Sequence, residues 1–337
     1  MNRNRLRNVR HFSVWQRFRV LSSLLLLAAS GWGVNLLMQH AGAASQPAAS
    51  GQDVLWQSLA NKAADDATVQ HKPQRGVAQA RALQLNDAAL RQVLQSAPHE
   101  TQGALSESQA ILPLPLPDGT FMRFRIQESP VLGAEFARAF PEIKSYRGEA
   151  VDGSGTTMRA AWSSAGLSAT LLNEAGLVSI TPEGQNTYLT QTSLPTEEAS
   201  FICDVTEGRV YEAQASDRPR IAVGNQLRTF RLALAATWEY CNAFGGGTNA
   251  GTVASLNVWV NAANVIYERE LAIHLTLVGN TNILFTTERG FTATTDPFTN
   301  DSQSTMLNEV RPVLRDQVGV ANYDLGHVLG AVAGIGG

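Results

Sequence analysis

The stretch "NAANVIYERELAIHLTLVGN", Asn261 to Asn280, changes period in its middle, and that change decides the fold. Leading into it, Val253, Leu256, Val260, Ala263 and Tyr267 recur at +3, +4, +3 and +4, which puts one apolar stripe on a helix. Beyond it, Leu271, Ile273, Leu275 and Leu277 alternate, which puts one apolar face on a strand. His274 falls on the opposite face and reads as a satisfied core or interface histidine rather than a metal ligand. Upstream, "RTFRLALAAT" alternates with Phe230, Leu232, Leu234 and Ala236 on one face. Downstream, Leu307, Val310, Leu314 and Val318 mark a second helix that starts near Asn300 or Asp301. Pro312 inside it removes an intrahelical hydrogen bond and predicts a kink or a late start. "YDLGHVL" is a third strand. The order β-α-β-α-β, with helix-length crossovers, predicts an α/β layer on a largely parallel sheet.

The pattern before residue 216 is different. "NDAALRQVLQSAP" reads as a short helix, capped by Asn86, with Leu90 and Leu94 on one face and Pro98 at its end. "LPLPLPDGTFMRFRIQ", "TTMRAAWSS", "GLSATLLN" and "LVSITPEG" are short alternating runs separated by glycine turns such as Asp118-Gly119 and Asp152-Gly153. Such spacing predicts a small antiparallel β unit over residues 80–215, so the chain is α+β overall. The polar "QASDRPRIAVG", Gln214 to Gly224, fits a domain boundary and an exposed cleavage segment, with processing near Ser216 to Arg220.

Arg3, Arg5, Arg7, Arg10, Arg17 and Arg19 precede an apolar run, and Ala41-Gly42-Ala43 follows it. That order is a secretory signal peptide over residues 1–44, with an uncleaved membrane anchor as the alternative. Residues 45–79 read as a linker that begins with small and polar residues. Either way the rest of the chain is expected outside the cytoplasm, secreted or in the cell envelope. Net charge is −3 overall. Setting aside those six of 26 bases leaves 20 against 29 acids, about −9, which argues against a nucleic-acid partner.

Most catalytic and nucleotide-binding motifs are absent from the sequence. The chain has no P-loop and no G-x-S-x-G, and Gly245-Gly246-Gly247 reads as a flexible loop rather than a dinucleotide site. A zinc peptidase needs two imidazoles one helical turn apart with a carboxylate between them. His-Glu occurs once, at His99-Glu100, and no second ligand follows. The remaining histidines, His11, His40, His71, His274 and His327, have no ligand spacing. Asp296, Asn300 and Asp301 offer oxygens to calcium, but turn formation and helix capping account for the same residues.

Two segments of the second half carry a resemblance. "NAANVIYERELAIHLTLVGN" resembles the helix-then-strand segment of reprolysin-like (adamalysin-type) zinc metallopeptidases of the metzincin group. "YDLGHVLGAVAGIGG" resembles the segment before the zinc helix in bacterial members. "PLPDGTFMRFRIQESPVLGAEFARAFPEIKSYRGEAVDGSGTTMRAAW" is similar to the β-rich pro-region of bacterial precursors. The resemblance implies a β-rich pro-region over residues 80–215, then the incomplete α/β upper subdomain of a metzincin-like (zincin) domain over residues 216–337. It implies a zymogen of an exported endopeptidase acting on peptide or protein substrates through zinc-activated water, with a glutamate as base. Tyr323, Asp324, Leu325, Gly326, His327 and Val328 match the approach to the strand on which such enzymes bind substrate. The family's zinc motif, H-E-x-x-H-x-x-G-x-x-H, is absent from this sequence, so its ligands are expected beyond residue 337 and the chain alone is expected to be inactive. The family's calcium-associated glutamate has no match, because Asn280 and Thr281 follow "LVG". Cys203 is a candidate latency cysteine, or a disulfide partner of Cys241, or free. Two other readings stay open: a secreted binding or inhibitory protein derived from a protease, and a surface-anchored β module.

Overall fold

The computed structural model describes residues 55–59, 77–174, 176–193, 226–300 and 302–331. The signal segment, most of the linker and the boundary stretch Gln214 to Gly224 lie outside the described residues.

The period change at the opening stretch corresponds to a real junction. Helix α4, Asn249–Leu271, runs into strand β11, Ile273–Leu277. Thr248 caps the start of α4 by accepting from Gly251 N. Ala272 ends it in a left-handed turn, φ 53°, and donates its N–H to Tyr267 O. Leu271 therefore belongs to the helix, not the strand, and is 42% exposed. Strand β10, Arg228–Ala236, precedes α4 and pairs parallel with β11, with Phe230 opposite Leu275. Strand β12, Leu325–Leu329, pairs parallel with the other side of β10, with Leu234 opposite His327. The sheet order is β11-β10-β12, the parallel β-α-β-α-β arrangement that the pattern predicts.

Strand β10 is covered on both faces, as central parallel strands are. Leu232, Leu234 and Ala236 pack under α4 with Val253, Leu256, Val260 and Ala263. Ala233 and Ala235 pack on the other face with Ile283, Phe285, Val310 and Leu314. Val310 and Leu314 come from α5, Gln303–Gln317, which continues through Pro312. Its cap is Ser302, which accepts from Thr305 N, rather than Asn300 or Asp301. Leu307 was expected on the buried stripe but is 47% exposed. The three glycines 245–247 are a packed corner rather than a flexible loop. Gly245 ends α3, Trp238–Gly245, and a Cβ there would overlap Thr252 Oγ1 at the start of α4. Only glycine lets the two helix ends approach so closely.

The β-rich half is a 9-stranded antiparallel sheet. Its strands are β1 (Trp56–Ser58), β2 (Val77–Leu85), β3 (Ile111–Pro115), β4 (Phe121–Glu128), β5 (Lys144–Ala150), β6 (Thr157–Ser163), β7 (Gly166–Asn173), β8 (Gly176–Gly184) and β9 (Thr187–Ser193). Strands β3 to β9 form a meander, and β2 and β1 add beyond β9. Strand β1 falls within the stretch read as linker, and Trp56 is buried there, so part of that stretch belongs to the fold. The sheet curls until its two ends meet. Trp56 Nε1 on β1 donates to Pro113 O on β3 at 2.8 Å, and Thr190 Oγ1 on β9 donates to Pro115 O at 2.9 Å. Both prolines sit on an edge strand, where a missing N–H costs least. Helix α1, Asp87–Ser96, capped by Asn86, puts Leu90 and Leu94 into the sheet's core with Leu83, Leu112, Phe124 and Leu171.

The two halves share a second core. The connection between β4 and β5 carries a short helix, α2, Ala134–Ala139. Just before it, residues 131–133 pair with the outer edge of β11. Leu277 N donates to Val131 O at 2.7 Å, and Gly133 N donates to Leu277 O at 2.7 Å. A Cβ on Gly133 would lie 2.5 Å from Leu277 O, so a side chain would push this pairing apart. Val131, Leu132, Phe136 and Ile143 then pack with Leu234, Leu256, Val260 and Leu277.

Candidate functional site

Strand β12 is stapled to β10 by one ion pair. Arg231 Nη2 donates to Asp324 Oδ1 at 2.9 Å, and Arg231 Nε donates to Asp324 Oδ2 at 3.1 Å. The backbone of Arg231 takes part as well: its N–H donates to the Asp324 carboxylate at Oδ2, 2.8 Å, and its carbonyl accepts from Asp324 N at 2.9 Å. These contacts hold the Asp324 carboxyl down at about 2, chiefly through the Arg231 side-chain hydrogen bonds. Because the folded-state value is depressed, the staple contributes above the ordinary carboxylate range and is lost only as pH falls through about 2. An NMR titration should therefore place the Asp324 midpoint near 2; a midpoint at the ordinary 3.8 would contradict the pairing.

Past Asp324, Leu325, Gly326 and His327 are exposed. His327 stacks on Trp259 of α4, with ring centroids 5.9 Å apart. Gly326 lies close against α5: a Cβ there would lie 2.5 Å from Leu314 Cδ1, so that side chain would have to shift. Tyr323 and Val328 pack on the cluster beneath α5. Among the described residues the outer edge of β12 has no strand partner. The sequence-derived run Tyr323 to Val328 is thus brought together as one edge, with its backbone open and His327 turned to an aromatic neighbour.

The acidic turn near residue 296 lies beside the start of α3. Asp296 Oδ2 accepts from Trp238 N at 2.8 Å, and Asn300 Nδ2 donates to Glu239. Burial, then the negative neighbours Glu239 and Glu309, push the Asp296 carboxyl up, while the Trp238 N–H opposes them. Asp296 Oδ1 and Asn300 Oδ1 are buried without a hydrogen-bond partner. Asp301 lies outside the described residues. No group of three His, Cys, Asp or Glu side chains able to hold a metal occurs among the described residues. One Asp296 oxygen is thus taken up by an N–H in the first turn of α3.

The histidines are engaged elsewhere. His99 Nδ1 lies 2.9 Å from Thr101 Oγ1 and caps a short turn. His274 is buried in a polar cluster that joins the halves. Its Nδ1 is 2.6 Å from Glu268 Oε1, so Nδ1 carries the hydrogen and the carboxylate accepts it. Arg159, on β6, grips the same carboxylate with Nη2 to Oε1 at 2.6 Å and Nε to Oε2 at 3.1 Å. Arg159 also donates to Ser129 O, Ser129 Oγ and Asn261 Oδ1. Burial pushes the Glu268 carboxyl up, but the His274 hydrogen bond and the Arg159 charge outweigh it and hold it below the ordinary range. Asn264 acts as a strand partner for β11, accepting from Leu275 N at 2.8 Å and donating to Leu275 O at 2.9 Å. The interface reading of His274 holds. Arg159 and Glu268 were missed, because neither sits in a motif.

Cys241 has a free thiol, fully buried, which donates to Ala236 O at 3.5 Å. Burial pushes it up to about 11. Cys203 lies outside the described residues, and with it both the latency reading and the bridge. Cys241 should resist a thiol reagent at pH 8 in the native protein and react on denaturation. Rapid native labelling at this position would contradict the burial.

Residues 226–334 match the family model described as Metallo-peptidase family M12B Reprolysin-like. This stretch is reprolysin-like. The reprolysin-like segment begins just before β10 and extends past β12, so it takes in the whole parallel sheet and α5 and none of the β-rich half. No curated protein matches the chain. Zinc is the metal of this family, yet the reprolysin-like segment here holds only His274 and His327, one bound to Glu268 and one stacked on Trp259. The residues present do not fit a zinc site.

Proposed function

We propose that the chain is the exported precursor form of a zinc-dependent endopeptidase. The single observation that carries this reading is the coincidence of the reprolysin-like match with the parallel sheet β11-β10-β12. On this reading residues 1–44 direct export, the β-rich half is the pro-region, and the sheet is the first part of the catalytic domain. The family's metal would supply activated water, but no residue of this chain is assigned to hold it.

What this chain contributes is a peptide-binding frame. Arg231 and Asp324 fix the start of β12, and Leu325 to Val328 follow with an open edge. An extended substrate, or a further strand of the enzyme's own sheet, can pair with such an edge through backbone bonds alone. Chemistry requires a segment with H-E-x-x-H, which this sequence lacks.

The DNA that follows the codon for Gly337 tests the proposal. An open frame that soon encodes H-E-x-x-H supports it. An open frame without that motif contradicts it, and an immediate stop codon favours a secreted binding or inhibitory protein instead.

A further inference from the structure

Helix α4 carries a second stripe beside its apolar one. Asn257, Asn261, Asn264 and Glu268 recur at +4, +3 and +4. The three asparagines are almost completely buried. Two of them and the glutamate face the β-rich half. Asn257 Oδ1 accepts from Ser145 Oγ at 2.7 Å, and Asn257 Nδ2 donates to Lys144 O at 3.1 Å. Asn261 Nδ2 donates to Ser145 Oγ at 3.0 Å, and Glu268 takes Arg159. At the rim Arg269 Nη1 donates to Leu172 O at 3.0 Å.

We propose that this face of α4, together with the outer edge of β11, is a docking surface for the β-rich half as a separate polypeptide. The two halves then hold each other as a tight non-covalent complex after the chain between residues 193 and 226 is cut, and Arg159 selects the pairing.

Three independent contacts support it. Residues 131–133 add to β11 by two backbone bonds, which is strand addition to a sheet edge. Val131, Leu132, Phe136 and Ile143 fill an apolar core that the α/β half leaves open without them. Arg159 has a side chain 2% exposed and cannot shed its charge, so in any mismatched pairing it would be buried without a carboxylate. The surface thus combines an apolar anchor that gives affinity with a buried charge that rejects other partners. The proposal does not depend on peptidase activity, so it can fail while the functional reading stands, and the reverse.

The test uses the full chain with a site for a sequence-specific protease inserted between residues 193 and 226, folded first and cut afterwards. Cut wild-type halves should co-elute in size-exclusion chromatography at micromolar concentration. Arg159→Met should raise the Kd between them by about 100-fold or more, and Glu268→Gln by about ten-fold or more, because each leaves a buried group unpaired. The double variant should recover at least about ten-fold relative to Arg159→Met alone, since both buried charges are then gone. Should Arg159→Met not fold, Glu268→Gln decides the matter by itself. Wild-type halves that separate on cutting would overturn the proposal. So would variants whose halves bind as tightly as wild type, or a double variant no tighter than Arg159→Met.

Discussion

Replacing Arg159 with alanine should lower unfolding stability by about 3 kcal/mol, the lower end of the range for breaking a buried ion pair. The lower end applies because the Glu268 side chain is 22% exposed and water can resolvate part of it. The loss has three sources. Glu268 keeps only His274 as a partner, Ser129 and Asn261 each lose a donor, and the space left by the guanidinium is lined by polar atoms. Arg159→Lys should lie between wild type and alanine, since a lysine keeps the charge but cannot reach Glu268, Ser129 and Asn261 together. Urea denaturation measures both. A loss under about 1 kcal/mol for Arg159→Ala would mean that the cluster is solvated like a surface pair.

Phe136→Ala should cost about 3–5 kcal/mol, the usual loss for emptying a buried phenylalanine site. Phe136 belongs to the β-rich half in sequence but packs in the core of the α/β half, with Phe140 6.1 Å away. Its loss should therefore be felt in both halves at once. Trp56 and Trp162 report on one half, and Trp238 and Trp259 on the other. Tryptophan replacements that isolate each signal should show one shared transition moved to lower denaturant. Two separate transitions, with only one moved, would contradict a shared core.

The parallel sheet was legible because its signals are local. The period change around residue 271, the alternation of "RTFRLALAAT" and the Leu307-to-Val318 stripe each need only a few residues. The details that failed were those decided by packing. Leu271 fits the strand period, but the left-handed turn at Ala272 keeps it on the helix. Leu307 fits the helical stripe, yet it stays exposed while Val310, Leu314 and Val318 of the same stripe are buried. Strand β1 could not be read from a three-residue run, since its burial comes from pairing with β2 and from the Trp56 bond to β3.

The polar cluster was illegible for a different reason. Asparagines on a helix read as a solvated face, and Arg159 lies 109 residues from Glu268. Only the fold brings them together. A signal was present nonetheless: three asparagines and a glutamate at helical spacing on α4 form a polar stripe too regular to be incidental, adjacent to the apolar one. A helix with two such stripes is a helix with two partners.

The reprolysin-like sheet of this chain comes without an H-E-x-x-H motif in the sequence, so the chain is expected to hold no zinc of its own. Metal content and peptide hydrolysis, measured on the purified chain after dialysis against zinc, test that most directly. The account predicts less than stoichiometric zinc and no chelator-sensitive cleavage of a peptide mixture. One tightly held zinc per chain, with cleavage that a chelator abolishes, would contradict it.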